Sequence, residues 1–243
     1  MKHEFYKKLT RWLLRGAGFI LAAVALVGFG IYVLSWSNTP VKKIAQVIPY
    51  PVAVIDGEGT VTFANFQQKV EVIRRYHELQ SVNTSLKHYE LDSKEGRRYF
   101  EVAKKNLLTR MIEDTIVKGI AGRLNIFISQ EEIDNERATL SRLNGGEERA
   151  GEKLLKAYKM DASDFGKVIE SELLRKKVQD HLAGKGKEGS DPFDAELGKV
   201  SVRIFLKDYY WDPSNHQLKF SNPAMRDYEK SVIEGAAEDG RIE

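Results

Sequence analysis

LLTRMIEDTIVKGIAGRLNIFISQEEID, residues 107–134, decides the fold. Leu107, Leu108, Met111, Ile112, Ile116, Ile120, Ala121 and Leu124 recur at steps of three, four and one. On a helix that spacing paints one broad apolar stripe. The stripe is too wide for a single partner helix, so several other elements must cover it. Asn125 follows the last striped residue, where a left-handed residue commonly ends a helix. Ile126, Phe127 and Ile128 make a short apolar bridge. Ser129 with Glu132 three residues on is a capping box, which starts a new helix. Long helix, tight exit and capped helix are expected to form a helical hairpin.

Outward from this unit the chain has a polar and an apolar end. Residues 1–43 carry seven Lys or Arg against one acid, and the rest carries 31 basic and 34 acidic residues. A slightly acidic main part argues against a nucleic-acid partner, which requires a basic face. There are no cysteines, so disulfides, thiolate metal sites and cysteine nucleophiles are excluded. Gly16 to Val41 is 26 residues without a charge. Its apolar part, residues 16–36, has the roughly 20-residue length that crosses a bilayer as a helix. Trp12, Tyr32 and Trp36 stand near its ends, where aromatic rings favour the interface. Lys2, Lys7, Lys8, Arg11 and Arg15 precede it, which keeps a basic segment 1–15 in the cytoplasm and sends the chain beyond Lys43 outward. The length of the run, and the lack of an A-x-A site following it, favour a retained anchor over a cleaved signal peptide.

Residues 37–50 read as a tether. Val52, Val54 and Ile55 suit a strand, Asp56-Gly57 a turn, and Val61 with Phe63 a returning strand. Phe66, Val70, Ile73 and Tyr76 or His77 then mark a helix. Ser81–Ser93 is polar and expected to be a loop, and a further helix starts near Ser93 and runs into the central stripe. After the capped helix, Asn144-Gly145-Gly146 is a stop. Leu154, Leu155 and Tyr158 mark a short helix. Asp161 or Ser163 caps the next, with Phe165, Val168, Ile169, Leu173, Leu174, Val178 and Leu182 on its buried side.

This order of elements resembles the N-terminal domain of SurA-type chaperones, a group that includes PpiD-like and PrsA-like foldases. VAVIDGEGTVTFANF is similar to the family's opening strand, turn and helix entry. MIEDTIVKGIAGRLNIFISQEEID is similar to its long helix and Ser-x-Glu-Glu cap, and LLKAYKMDASDFGKVIESELLRKKV to its closing helices. The resemblance covers residues 51–182. It implies a mainly α fold, with a short β-hairpin leading into packed helices, and an ATP-independent chaperone. Unfolded or newly exported polypeptides would be its partners, at the bacterial cytoplasmic membrane. Such domains are commonly followed by a parvulin prolyl isomerase of about 90 residues, an ordinary small-domain size. Only 61 residues follow Leu182, so no isomerase activity is expected.

Residues 183–198 read as a linker. Gly184, Gly186 and Gly189 match a dinucleotide fingerprint, but a helix precedes them and Asp191-Pro192 follows, which is the wrong setting. Residues 199–243 are expected to form a small β-hairpin, pairing Val200–Leu206 with Leu218–Phe220 around Asp212-Pro213-Ser214-Asn215, and a frayed helix from Arg226. Tyr209, Tyr210 and Trp211 are the densest aromatic run. They either cover the helical core or form an exposed patch that grips clients, and in the second case they are the candidate client-binding residues. His3, His77, His88, His181 and His216 show no metal-ligand spacing, and His77 and His88 are expected at a solvated surface. No G-x-S-x-G nucleophile motif occurs. No cofactor, catalytic residue or metal ligand is expected. An adaptor that docks one folded partner and a degenerate prolyl isomerase are the competing functions, and a homodimer stays open.

Overall fold

The computed structural model of the chain describes residues 25–31, 48–83, 90–143, 162–183 and 192–238. Its elements run β1 (Pro51–Ile55), β2 (Gly59–Thr62), α1 (Phe63–Asn83), α2 (Lys94–Leu124), α3 (Gln130–Leu143), α4 (Ala162–Ala183), α5 (Pro192–Leu197), β3 (Val202–Ile204), β4 (Tyr209–Asp212), β5 (Gln217–Phe220) and α6 (Pro223–Glu238). Residues 25–31 are also helical. The described chain is mainly α with small strands.

α2 is the axis. Its 31 residues give a rod of about 46 Å at 1.5 Å per residue. Ser93 caps its start, accepting a hydrogen bond from Gly96 N at 2.8 Å. Asn125 ends it in the left-handed conformation, φ 54°, while Ile126 N donates to Ala121 O at 2.9 Å. Leu108, Ile112, Ile116, Val117, Ile120 and Ala121 are completely buried. At roughly 1.5–3 kcal/mol per large apolar side chain this stripe is the main source of cohesion. As its width requires, β1, β2, β5, α1, α4 and α6 all pack on it.

The capping box is present as expected. Ser129 N donates to Glu132 Oε2 at 2.9 Å, and Glu132 N donates to Ser129 Oγ at 3.2 Å. The expected hairpin is not. α3 leaves α2 and packs chiefly on α4. Among the described side chains of α3 only Ile133 is buried, so its narrow stripe is served by one neighbour. Lys177 of α4 holds the junction, donating to Phe127 O at 3.1 Å and pairing with Glu132 at 2.5 Å. Those contacts hold the Glu132 carboxyl down at about 2, with the Lys177 hydrogen bond the largest cause and the Ser129 bonds next.

The tail corrects a second expectation. β3 does not pair with residues 218–220. It pairs antiparallel with β1, Ala53 opposite Ile204 and Ile55 opposite Val202, in a sheet ordered β2-β1-β3. β1 is buried on both faces, so an open edge there would strand its backbone groups away from water. β3 supplies the missing partners, and Arg203 pairs with Asp56 at 2.8 Å across the join. β4 takes the pairing with β5 around the expected turn, Tyr209 opposite Phe220. Asp212 anchors that turn, accepting from Ser214 N and Asn215 Nδ2, both at 3.0 Å. α6 starts earlier than expected, at Pro223, with Asn222 Oδ1 accepting from Ala224 N at 3.0 Å. Lys105 of α2 pairs with its Glu229 at 2.5 Å.

Two residues sit elsewhere than expected. α1 continues to Asn83, and His77 lies inside it, 4% exposed, rather than on a solvated surface. Val168 of α4 is exposed rather than buried. The short helix around Leu154, Leu155 and Tyr158, the glycine-rich stretch 184–191 and His88 lie outside the described residues. So does most of the apolar run 16–36. Among the described residues no helix is long and apolar enough to cross a membrane.

Candidate functional site

α1 and α4 lie on α2 side by side without closing over it. Between them runs an open cleft of about 1170 Å³. Met111, Thr115 and Lys118 of α2 form its floor, α1 and α4 its walls, and β2 its end. The cleft exists because of the periodicity of α1. Phe63, Phe66 and Val70 turn inward onto the core. The residues between and after them, Ala64, Gln67, Gln68 and Glu71, then face the gap.

The lining is mixed and nearly neutral. Lys69, Arg75, Arg110, Lys118 and Lys167 face Glu58, Glu71, Asp114, Asp164, Glu170 and Glu172. Many of these charges satisfy each other. Lys167 pairs with Asp164 at 2.9 Å, Arg110 with Asp114 at 3.4 Å and with Glu172. Beside the cleft Arg175 spreads its two terminal nitrogens onto Glu113 and Asp114, each at 2.9 Å, and so bolts α4 to α2. A paired lining presents no strong field for a phosphate or a nucleic acid. The amides of Asn65, Gln67 and Gln68 both donate and accept, which suits peptide groups. Val72 and Val168 add apolar contact.

The β2 end is held firmly. Glu58 sits in the β1–β2 turn with its carboxylate laid over Gly119 and paired with Arg123. A Cβ on Gly119 would stand 1.4 Å from a Glu58 oxygen, so only glycine leaves room for this lock.

The aromatic run is divided by strand alternation. Tyr209 points into the core, its ring 5.5 Å from that of Phe220. Burial, then the nearby charges of Glu101 and Asp208, push its hydroxyl far up. Tyr210 is exposed and Trp211 half-buried. Tyr209 is thus buried rather than part of an exposed patch, and none of the three lines the cleft. The cleft itself was missed. Its one sequence signal is the pair Gln67-Gln68 on the polar side of a helix that already had a clear apolar side. Val168, on the expected buried side of α4, lines the cleft instead.

His77 is enclosed by rings, Tyr99 at 5.4 Å and Phe100 at 6.0 Å, both edge-on. Burial lowers its pKa from the usual histidine value. It is part of the α1–α2 contact. No group of three or more His, Asp or Glu side chains suited to a metal occurs among the described residues.

An open, nearly neutral, helix-walled cleft with amide and apolar side chains in its lining differs from the usual small-molecule pocket, which is enclosed and mostly apolar. The model of the SurA-like N-terminal domain family matches residues 3–179, and the chain belongs to that family. The match takes in the apolar N-terminal run and ends within α4, so β3, β4, β5 and α6 lie beyond it. No curated protein and no solved structure gives a significant match.

Proposed function

We propose that the chain is an ATP-independent, membrane-tethered chaperone that holds unfolded or newly exported polypeptides in the cleft between α1 and α4. Family membership supports a chaperone-like role. The observation that carries the binding mode is the cleft lining, wide, open and nearly charge-balanced, with the amide side chains of Asn65, Gln67 and Gln68 along one wall. Such a surface makes many weak contacts and few selective ones, which suits reversible holding of varied chains. The apolar run 16–36 serves as the tether, with residues 1–15 in the cytoplasm and the helical domain outside. Tethering raises the local concentration of the cleft where exported chains emerge. In this proposal the protein makes and breaks no bonds and has no prolyl isomerase activity.

The chain lacks cysteine, so a single introduced cysteine is a unique attachment point. A photo-crosslinker placed at Gln68→Cys, in the full chain in detergent, is expected to capture an unfolded model protein. The same reagent at Lys230→Cys, an exposed site outside the cleft lining, is the comparison. Equal capture at both sites would remove the cleft from the proposal.

A further inference from the structure

The apolar N-terminal run has a second seat. Residues 25–31 form a helix whose sides differ sharply. Ile31 is 1% exposed and belongs to the same core cluster as Val52, Ile112 and Phe193. Val27 packs against that cluster, and Gly28 and Gly30 are buried. Leu26 and Phe29 are 68% and 54% exposed. A glycine on the contact side lets the helix backbone approach closely.

These contacts conflict with a full membrane span. A span needs about 20 apolar residues. With residues 25–31 held in the domain core, the run keeps only residues 16–24 ahead of them and 32–36 behind, and neither piece approaches the about 20 residues that a hydrocarbon layer of roughly 30 Å requires. One segment therefore cannot occupy both places at once. We propose that residues 25–31 are an exchangeable strap: docked, they close the core of the helical domain, and on insertion into a bilayer they are withdrawn from it. The membrane then does more than tether the domain. It removes Ile31 and Val27 from the core and loosens the domain where clients arrive.

This inference rests on the tether proposed above, and one experiment separates the two. The full chain and its Ile31→Ala, Leu26→Ala and Phe29→Ala variants are unfolded by heat, followed by near-ultraviolet circular dichroism. Each is measured in a mild non-ionic detergent and after reconstitution into phospholipid liposomes, with flotation of the liposomes scored on the same samples. In detergent, Ile31→Ala is expected to lower the midpoint by roughly 5–15 °C, while Leu26→Ala and Phe29→Ala stay within a degree or two. In liposomes the Ile31→Ala deficit is expected to vanish while the chain floats. Equal midpoints for all variants in detergent overturn the docked strap. A chain that floats but keeps the full Ile31→Ala deficit overturns the exchange and leaves the tether standing. A chain that does not float overturns both.

Discussion

The pair Lys105–Glu229 gives the sharpest quantitative prediction. It joins α2, the axis, to α6, an element beyond the family match. The two side chains are 11% and 14% exposed and 2.5 Å apart, so solvent screens them little. Removing one partner of a buried pair strands the other charge, at a cost of about 3–5 kcal/mol when burial is complete. The residual exposure here lowers that to about 2–4 kcal/mol for Glu229→Ala. For a domain of this size the thermal midpoint falls roughly 2–4 °C per kcal/mol, so a drop of about 5–15 °C is expected. Replacing both partners, Lys105→Met with Glu229→Leu, removes the charge and its desolvation together and is expected to restore stability to within about 1 kcal/mol. Denaturant unfolding of the native chain, Lys105→Met, Glu229→Leu and the double variant in one detergent closes the cycle and yields the coupling energy. Additive single effects, or a Glu229→Ala loss below about 0.5 kcal/mol, would show that α6 is not fastened to the axis as described.

Gly96→Ala places a Cβ 2.0 Å from the Glu90 carbonyl oxygen, a backbone atom that also receives Ser93 N and Oγ; a loss of about 2–3 kcal/mol is expected from the displaced cap, read by chemical denaturation. Tyr209→Ala is expected to cost about 3–5 kcal/mol and Tyr210→Ala less than about 0.5, because strand alternation buries only the first; equal losses would contradict the strand register. The His77 pKa is lowered in the folded state, so the folded chain binds fewer protons there than the unfolded chain. Its contribution is complete above the unfolded value of 6.5 and is lost as pH falls below it, and His77→Phe is expected to flatten the stability profile on the acid side of 6.5. Glu132 titrates from 4.5 down to about 2 on folding, so its support is present above pH 4.5 and fades as pH falls toward 2, a dependence that Glu132→Gln should abolish.

What was legible in the sequence was local. The α2 stripe, the left-handed Asn125 and the Ser129–Glu132 box each involve residues within a few positions, and each forms as the spacing predicts. The Asp212–Asn215 turn is of the same kind. What escaped was set by distant partners. β3 looks equally able to pair with β1 or with residues 218–220, and only the both-face burial of β1 decides it. α3 carries a stripe that fits either α2 or α4. Spacing alone leaves either Tyr76 or His77 on the inner side of α1, and the burial of His77 depends on Tyr99 and Phe100 of α2. The cleft is a gap between two helices, so no single segment encodes it. Val168 follows the helical period of its buried neighbours and is exposed because α1 does not reach across to it.

The central claim is that the cleft between α1 and α4 holds unfolded chains. Its most direct measurement is suppression of aggregation of a chemically unfolded model protein by the full chain, without ATP, compared with a Ser171→Trp variant that fills the cleft. The native chain is expected to suppress aggregation at near-stoichiometric amounts, and the filled variant, still folded by circular dichroism, to do so poorly. Undiminished suppression by the filled variant, or none by the native chain, would contradict it.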